Sequence, residues 1–195
     1  MNRSETPATG RAHVDDSTIG RMFFNRVGRY RDRSLFKVKR AGRYTDITWH
    51  EAGSVVKQFA LGLVELGIEH GSRVSLLSEN RPKWALSDLA ILSLGAVNVP
   101  IYATNTPKQV EYIINDSASE VLIVSTEKQL EKALEAQPRC PSLRKIVILD
   151  EVDAANSLVT TFRAVCETGA SGAGEQVFDE RLQATAATDL ASIIY

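Results

Sequence analysis

Four short runs rich in Val and Ile begin 24, 23 and 25 residues apart: RVSLLS from Arg73, VNVPIY from Val97, EVLIV from Glu120 and KIVILD from Lys145. None alternates strictly with polar residues, so each has to be covered on both faces. The intervals carry helix starts, with Pro82 after Arg81, Pro107 after Thr106 and Glu127 after Thr126, that is, a first-turn proline or a capping threonine. Strand, helix, strand at this interval predicts an α/β fold built on a predominantly parallel, doubly wound sheet with right-handed crossovers. The runs share no residue pattern that a solenoid would repeat.

A different pattern precedes them. Ser17 and Thr18 can cap a helix to about Tyr30 with Ile19, Met22, Phe23 and Val27 on one face. Strands are expected over 35–39 and 44–48, joined across Ala41 and Gly42 as a hairpin. Thr48 and Glu51 form a capping-box pair, Val55, Val56, Phe59, Ala60, Leu63 and Val64 follow at helical spacing, and Gly67 supplies the stop. After Asp150 a helix is expected around 158–166, a small-residue loop over 167–176, and the start of another buried strand over 189–195. A bare apolar strand leaves backbone groups and an edge without partners, so the chain is expected to be truncated there. Residues 1–17 are polar, lack an apolar period and are expected to be a flexible lead-in outside the fold.

Composition excludes several classes. The 195 residues carry 23 Lys and Arg against 24 Asp and Glu, and 44% are apolar, enough for one domain or a lobe of a larger one that buries roughly 70% of its unfolded surface. A net charge of −1 gives no global attraction to nucleic acid, and no nucleic-acid partner is expected. Cys140 and Cys166 have no Cys-x-x-Cys spacing and no nearby His pair, which argues against a zinc site or a disulfide framework and for a reducing, cytoplasmic setting. The first 16 residues lack the apolar core of a signal peptide, and the most apolar stretch, 86–102, is interrupted by Asp88, Asn98 and Pro100, so no membrane span is expected.

The usual chemical motifs fail on inspection. Gly169, Gly172 and Gly174 are spaced G-x-x-G-x-G rather than as a dinucleotide fingerprint, and no G-x-x-x-x-G-K-[ST] occurs. His50 and Glu51 open like a zinc-protease helix, but Ser54 stands where the second His would be. Residues 169–173 miss the last Gly of a nucleophile elbow, leaving Ser171 as a surface residue. His13, His50 and His70 are scattered, and no acid or base constellation emerges. No catalytic residue and no metal ligand is assigned, and cofactor-binding positions stay unknown.

Charge is unevenly spread. Residues 1–43 hold 11 basic and 4 acidic side chains, and 150–195 hold 2 basic and 8 acidic. Arg21, Arg26, Arg29, Arg31, Arg33, Lys37, Lys39, Arg40 and Arg43 are broken only by Asp32 and interleaved with Phe23, Phe24, Tyr30 and Phe36. Such a stretch can be a solvated face with Phe23 and Phe36 in the core, or it can meet the phosphates of a membrane or an RNA.

The runs YTDITW at 44–49, LVELGIEHGSRV at 63–74, SENRPKW at 78–84 and LGAVNVPIYATNTPKQVEYIINDS at 94–117 resemble the opening of acyl-CoA synthetases of the adenylate-forming, AMP-binding superfamily. VPIYAT, the Thr-Pro helix start and the Asn-Asp-Ser turn are most similar to the long-chain fatty-acid ligase branch. The likeness spans roughly 20–150 and resumes at 189–195, and 151–188 match weakly. The resemblance implies a partial large N-terminal domain over 18–195, in which a helix and a β-hairpin precede the parallel sheet. For the parent protein it implies attack of a fatty-acid carboxylate on the α-phosphate of Mg-ATP to give acyl-adenylate and pyrophosphate, then displacement of AMP by coenzyme A. The family's phosphate-binding loop follows the strand that resembles LASIIY, so this chain is expected to bear no catalytic residue, to bind none of ATP, Mg2+ or coenzyme A alone, and to be inactive by itself. Peripheral membrane contact through 21–43 is a further expectation. Two other readings fit the same residues: a non-catalytic α/β binding module that uses the basic face, and an adenylate-forming ligase for another class of acid.

Overall fold

A computed structural model describes residues 15–40, 42–152, 156–172 and 174–195. The lead-in expected over 1–17 lies outside these residues as far as 14, as do His13, Ala41 of the hairpin turn and Ala173. The first helix, α1 (Ile19–Tyr30), is capped by the Thr18 hydroxyl, which accepts from Arg21 N. Phe23 is buried and Met22 and Val27 are half-buried, whereas Ile19 faces outward at 46% exposure. Strands β1 (Ser34–Arg40) and β2 (Arg43–Thr48) form the expected antiparallel hairpin. Helix α2 (Trp49–Glu65) starts with a complete capping box, Thr48 and Glu51 each satisfying the other's backbone N–H. Arg31, which links α1 to β1, has φ 37° and ψ −96°, a sparsely populated backbone costing on the order of 1–3 kcal/mol. Two hydrogen bonds hold it there, Arg31 N to Val27 O at 3.0 Å and His50 N to Arg31 O at 2.9 Å.

The Val- and Ile-rich runs are strands β3 (Arg73–Leu77), β4 (Val97–Ile101), β5 (Val121–Val124) and β6 (Lys145–Ile148), and every pairing in the sheet is parallel. Helices α3 (Pro82–Ser93), α4 (Pro107–Ser117) and α5 (Glu127–Ala136) fill the crossovers. A fifth strand, β7 (Val159–Thr161), completes the order β4-β3-β5-β6-β7. Alternate side chains enter two separate cores. Val74, Leu76, Val121, Ile123 and Val147 face α1, α2, α3 and the two later helices, where Phe59 stacks on Phe162 with centroids 4.3 Å apart. Leu77, Val99, Leu122, Val124, Ile146 and Ile148 face α4 and α5.

The segment after Asp150 departs from expectation. Residues 159–161 are a strand, not helix, because Val-Thr-Thr supplies β-branched side chains that extend the sheet beside β6. The tract expected to be a loop over 167–176 is mostly helical: α6 (Phe162–Ser171), capped by Thr161, and α7 (Glu175–Ala184). Its small residues serve a helix crossing. A Cβ on Gly62 of α2 would lie 2.0 Å from Val165 O, and one on Gly169 2.0 Å from Gln58 O, so only glycine permits this approach.

The segment 189–195 is also not the buried strand expected. It lies along the outer edge of β4, largely exposed, with one parallel bridge from Asn98 to Ser192. Asn98 N donates to Ala191 O at 3.0 Å and Ile193 N to Asn98 O at 3.1 Å. In a parallel ladder the next donor on that edge of β4 is two residues on, at Pro100, which has no N–H. Pairing stops there. His70 Nε2, 2.8 Å from Asp189 Oδ2, and Tyr195 Oη, donating to Asp116 Oδ2 at 2.5 Å, hold the two ends of this segment by side chains.

Candidate functional site

In an open parallel sheet, ligands are received beyond the carboxyl ends of the strands where the winding reverses. Here the connection from β3 runs to β4 on one side, while β5, on the other side of β3, leads away to β6. The reversal therefore lies between the exits of β3 and β5, at 78–81 and 125–126. Glu79 occupies it. The Ser125 hydroxyl donates to Glu79 Oε2, and Gln129 Nε2 donates to Glu79 Oε1 at 2.9 Å. The Ser125 hydroxyl above all, with help from Gln129 and Arg81, holds the Glu79 carboxyl below the usual glutamate range, so it is an anion at neutral pH.

Arg81 and Lys83 tie the neighbouring exits. Arg81 donates to Ser125 O at 3.1 Å and to Asp150 Oδ1 at 2.6 Å, joining the ends of β3, β5 and β6. Lys83 donates to Leu149 O, lies over the Phe162 ring at 5.1 Å and is 3.9 Å from Glu151. Burial is the main cause that lowers its pKa from the ordinary lysine value. On the β4 side, Gln129 and Lys132 of α5 reach back to the loop after that strand: Gln129 Nε2 to Ala103 O at 3.2 Å, and Lys132 Nζ to Ala103 O and Asn105 O at 2.8 and 2.9 Å. Gln129 Oε1 is buried with no partner among the described residues.

Beside this network a cavity of about 210 Å³ opens, lined by Ser78, Asn80, Trp84, Ile101, Tyr102 and Ile194 among others. It has an apolar wall and two short polar side chains, the lining of a pocket that orients a largely apolar ligand. The charged groups beside it are already engaged, Glu79 by the Ser125 hydroxyl and the Gln129 amide and the cations by backbone carbonyls or carboxylates, so they brace the strand exits.

The residues weighed from sequence fall elsewhere. His70 is in the turn before β3, at the opposite end of the strands, and His50 is in the first turn of α2. Ser171 ends α6, exposed, its hydroxyl bonded to Glu167 O at 2.9 Å. Gly169 and Gly172 pack against α2 and its Glu65. Cys140 and Cys166 are free thiols, the latter pushed up to about 12 by burial. Among the described residues no group of three His, Cys, Asp or Glu could hold a metal ion, and no helix is long and apolar enough to cross a membrane. Glu79, Ser125 and Gln129 are given no role by the sequence, where Glu79 lies within the SENRPKW run and each follows an apolar strand run or opens a helix.

The family model for AMP-binding enzymes matches residues 23–195. The chain belongs to the AMP-binding enzyme family. As an AMP-binding family chain it is 36% identical over 154 residues to the long-chain-fatty-acid--CoA ligase FadD15 of Mycobacterium bovis, covering 79% of this chain and 25% of that protein. It is 31% identical over 134 residues to the long-chain-fatty-acid--CoA ligase ACSBG1 of Rattus norvegicus, covering 69% of this chain and 19% of that one. It thus spans about a quarter or less of the length of these relatives. Among solved structures, coronafacic acid ligase from Pectobacterium brasiliense superposes with a TM-score of 0.69 at 19% identity, over 91% of this chain and 33% of that one, which shows the shared fold.

Proposed function

We propose that this chain is part of the large N-terminal domain of an acid–thiol ligase, with residues 18–195 belonging to that domain and 1–17 preceding it. The whole protein would join a long-chain fatty acid to coenzyme A and convert ATP to AMP and pyrophosphate in a cytoplasmic setting. The observation that carries this reading is the 36% identity to a long-chain fatty-acid ligase over four-fifths of the chain. The reading also gives a role to the crevice: a braced floor at the strand exits with an apolar wall of Trp84, Ile101 and Tyr102 suited to an acyl chain.

Among the described residues the donor set at the strand exits does not fit Mg-ATP. Both oxygens of Glu79 are engaged by Ser125 and Gln129, and Arg81, Lys83 and Lys132 are turned to carbonyl oxygens rather than to a common point where phosphates could sit. The orphan acceptor Gln129 Oε1 suits a hydroxyl or amine donor and repels a phosphate. Accordingly the 195-residue chain alone is expected to be inactive, its share of the work being to shape and stiffen a pocket. Peripheral contact with a membrane through 21–43, where a fatty acid partitions, belongs to the same reading.

The test is thioester formation from palmitate, ATP and coenzyme A, run with the protein as its gene encodes it and with the 195-residue chain. Palmitoyl-CoA is expected from the first and no ATP–pyrophosphate exchange from the second. Exchange by the 195-residue chain would overturn its inactivity, and a preference for an aromatic or cyclic acid over palmitate would move the reading to another branch of the family.

A further inference from the structure

The nine basic residues of 21–43 are not equivalent once folded. Arg21 clasps the end of α7, donating to Leu182 O, Gln183 O and Thr185 O at 3.3, 2.6 and 2.8 Å, and pairs with Asp15. Arg26 pairs with Asp16 at 3.3 Å and Lys37 with Asp46 at 2.6 Å. Their charge is consumed within the fold.

Arg29, Arg31 and Arg33 are different. All three are exposed, and none has an acidic partner among the described residues. Arg29 and Arg33 place their guanidinium carbons 5.4 and 5.6 Å from the centroid of one ring, Tyr30, which itself packs on Trp49 at 5.4 Å. Arg31 between them holds the positive-φ backbone of the turn. The single acid in this turn, Asp32, is exposed and leaves a local charge of +2 over 29–33. Exposed Lys39, Arg43 and Tyr44 at the hairpin tip continue the basic and aromatic character. The three arginines line neither the crevice nor the cavity at the strand exits.

We propose that the α1–β1 turn docks the chain on the anionic face of a phospholipid bilayer, with Arg29, Arg31 and Arg33 taking headgroup phosphates around Tyr30. Guanidinium groups match phosphate oxygens in pairs, and an aromatic base with a polar tip suits the headgroup layer. An exposed turn, lacking the walls of a cleft, meets a charged plane better than a small ion. The inference rests on the membrane contact proposed above and narrows it to three residues, and its test reads binding rather than the ligase reaction.

Its test is co-sedimentation of the 195-residue chain with vesicles of phosphatidylcholine alone or mixed with phosphatidylglycerol. Binding is expected to the anionic vesicles only, weakening when salt is raised from about 0.1 to about 1 M, over which the screening length falls from about 10 to about 3 Å. The variant R29Q/R31Q/R33Q should partition about 100-fold less, at roughly fivefold for each arginine. R29Q/R33Q, which leaves the strained position untouched, should lose about 25-fold on the same scale, and circular dichroism verifies that both variants fold. K37Q, which removes a paired charge, should bind as the wild type does. No binding by the wild type sinks the membrane contact as a whole. Wild-type binding that the triple variant retains, or that K37Q loses equally, sinks the arginine turn alone.

Discussion

Glu79 organises its surroundings by accepting from two donors on another βα unit, the Ser125 hydroxyl and the Gln129 amide. A glutamine in its place has one acceptor oxygen and must turn its own amide donors toward one of them. Glu79→Gln should therefore cost about 1 kcal/mol at neutral pH, a charged hydrogen bond discounted for its exposure, read as a lower melting temperature. The sign with pH follows from the depressed carboxyl. Its stabilisation is complete above the ordinary value of 4.5 and fades as pH falls through the lower folded value, so the two melting curves should converge in acid. This network was not legible in the sequence. Ser125 and Gln129 lie 46 and 50 residues from Glu79, and no local pattern marks a partner brought in by sheet order.

At the scale of elements, the crossing of α2 and α6 is the contact least tolerant of change. Gly62→Ala or Gly169→Ala would drive a methyl group to 2.0 Å from a backbone carbonyl oxygen of the facing helix, and each should cost at least about 3 kcal/mol in urea unfolding. Gly28→Ala provides the contrast: nothing stands within 4 Å of its added carbon, and helix propensity alone should make it neutral to about 1 kcal/mol more stable. The strands and capped helices from α1 to β6 were readable, because local pattern and tertiary demand agree there. Val-Ile runs, Thr48 with Glu51 and Thr106 before Pro107 each specify their element within a few residues. Past Asp150 the expected helix is present from Phe162, but the small residues of 167–176 predict a loop where the chain is helical, for a physical reason. Gly, Ala and Ser are what a loop uses for freedom and what a close helix crossing uses for space, and only the facing helix distinguishes them.

Across the whole molecule, one sheet separates two cores, so neither can loosen without exposing the strands of the other. Trp49 and Trp84 both pack against the core that holds Phe59, while Leu122 is fully buried on the opposite face. Leu122→Ala should cost about 2–5 kcal/mol. That loss should appear equally in tryptophan fluorescence and in far-ultraviolet circular dichroism, as a single transition. Separate transitions would mean that the two faces unfold independently.

The proline in β4 has a consequence for how this sheet behaves in a crowded solution. An open edge of Val and Ile is a template on which a passing chain can add a strand, and repeated addition ends in fibres. On this edge one backbone pair is spent on Ser192, and the position that would carry the register onward is Pro100. A newly made copy approaching the same edge must first displace the 189–195 segment, and then meets an interruption after a single rung, too short to nucleate growth. The missing hydrogen that shortens the ladder within the molecule thus also guards it against fibril formation.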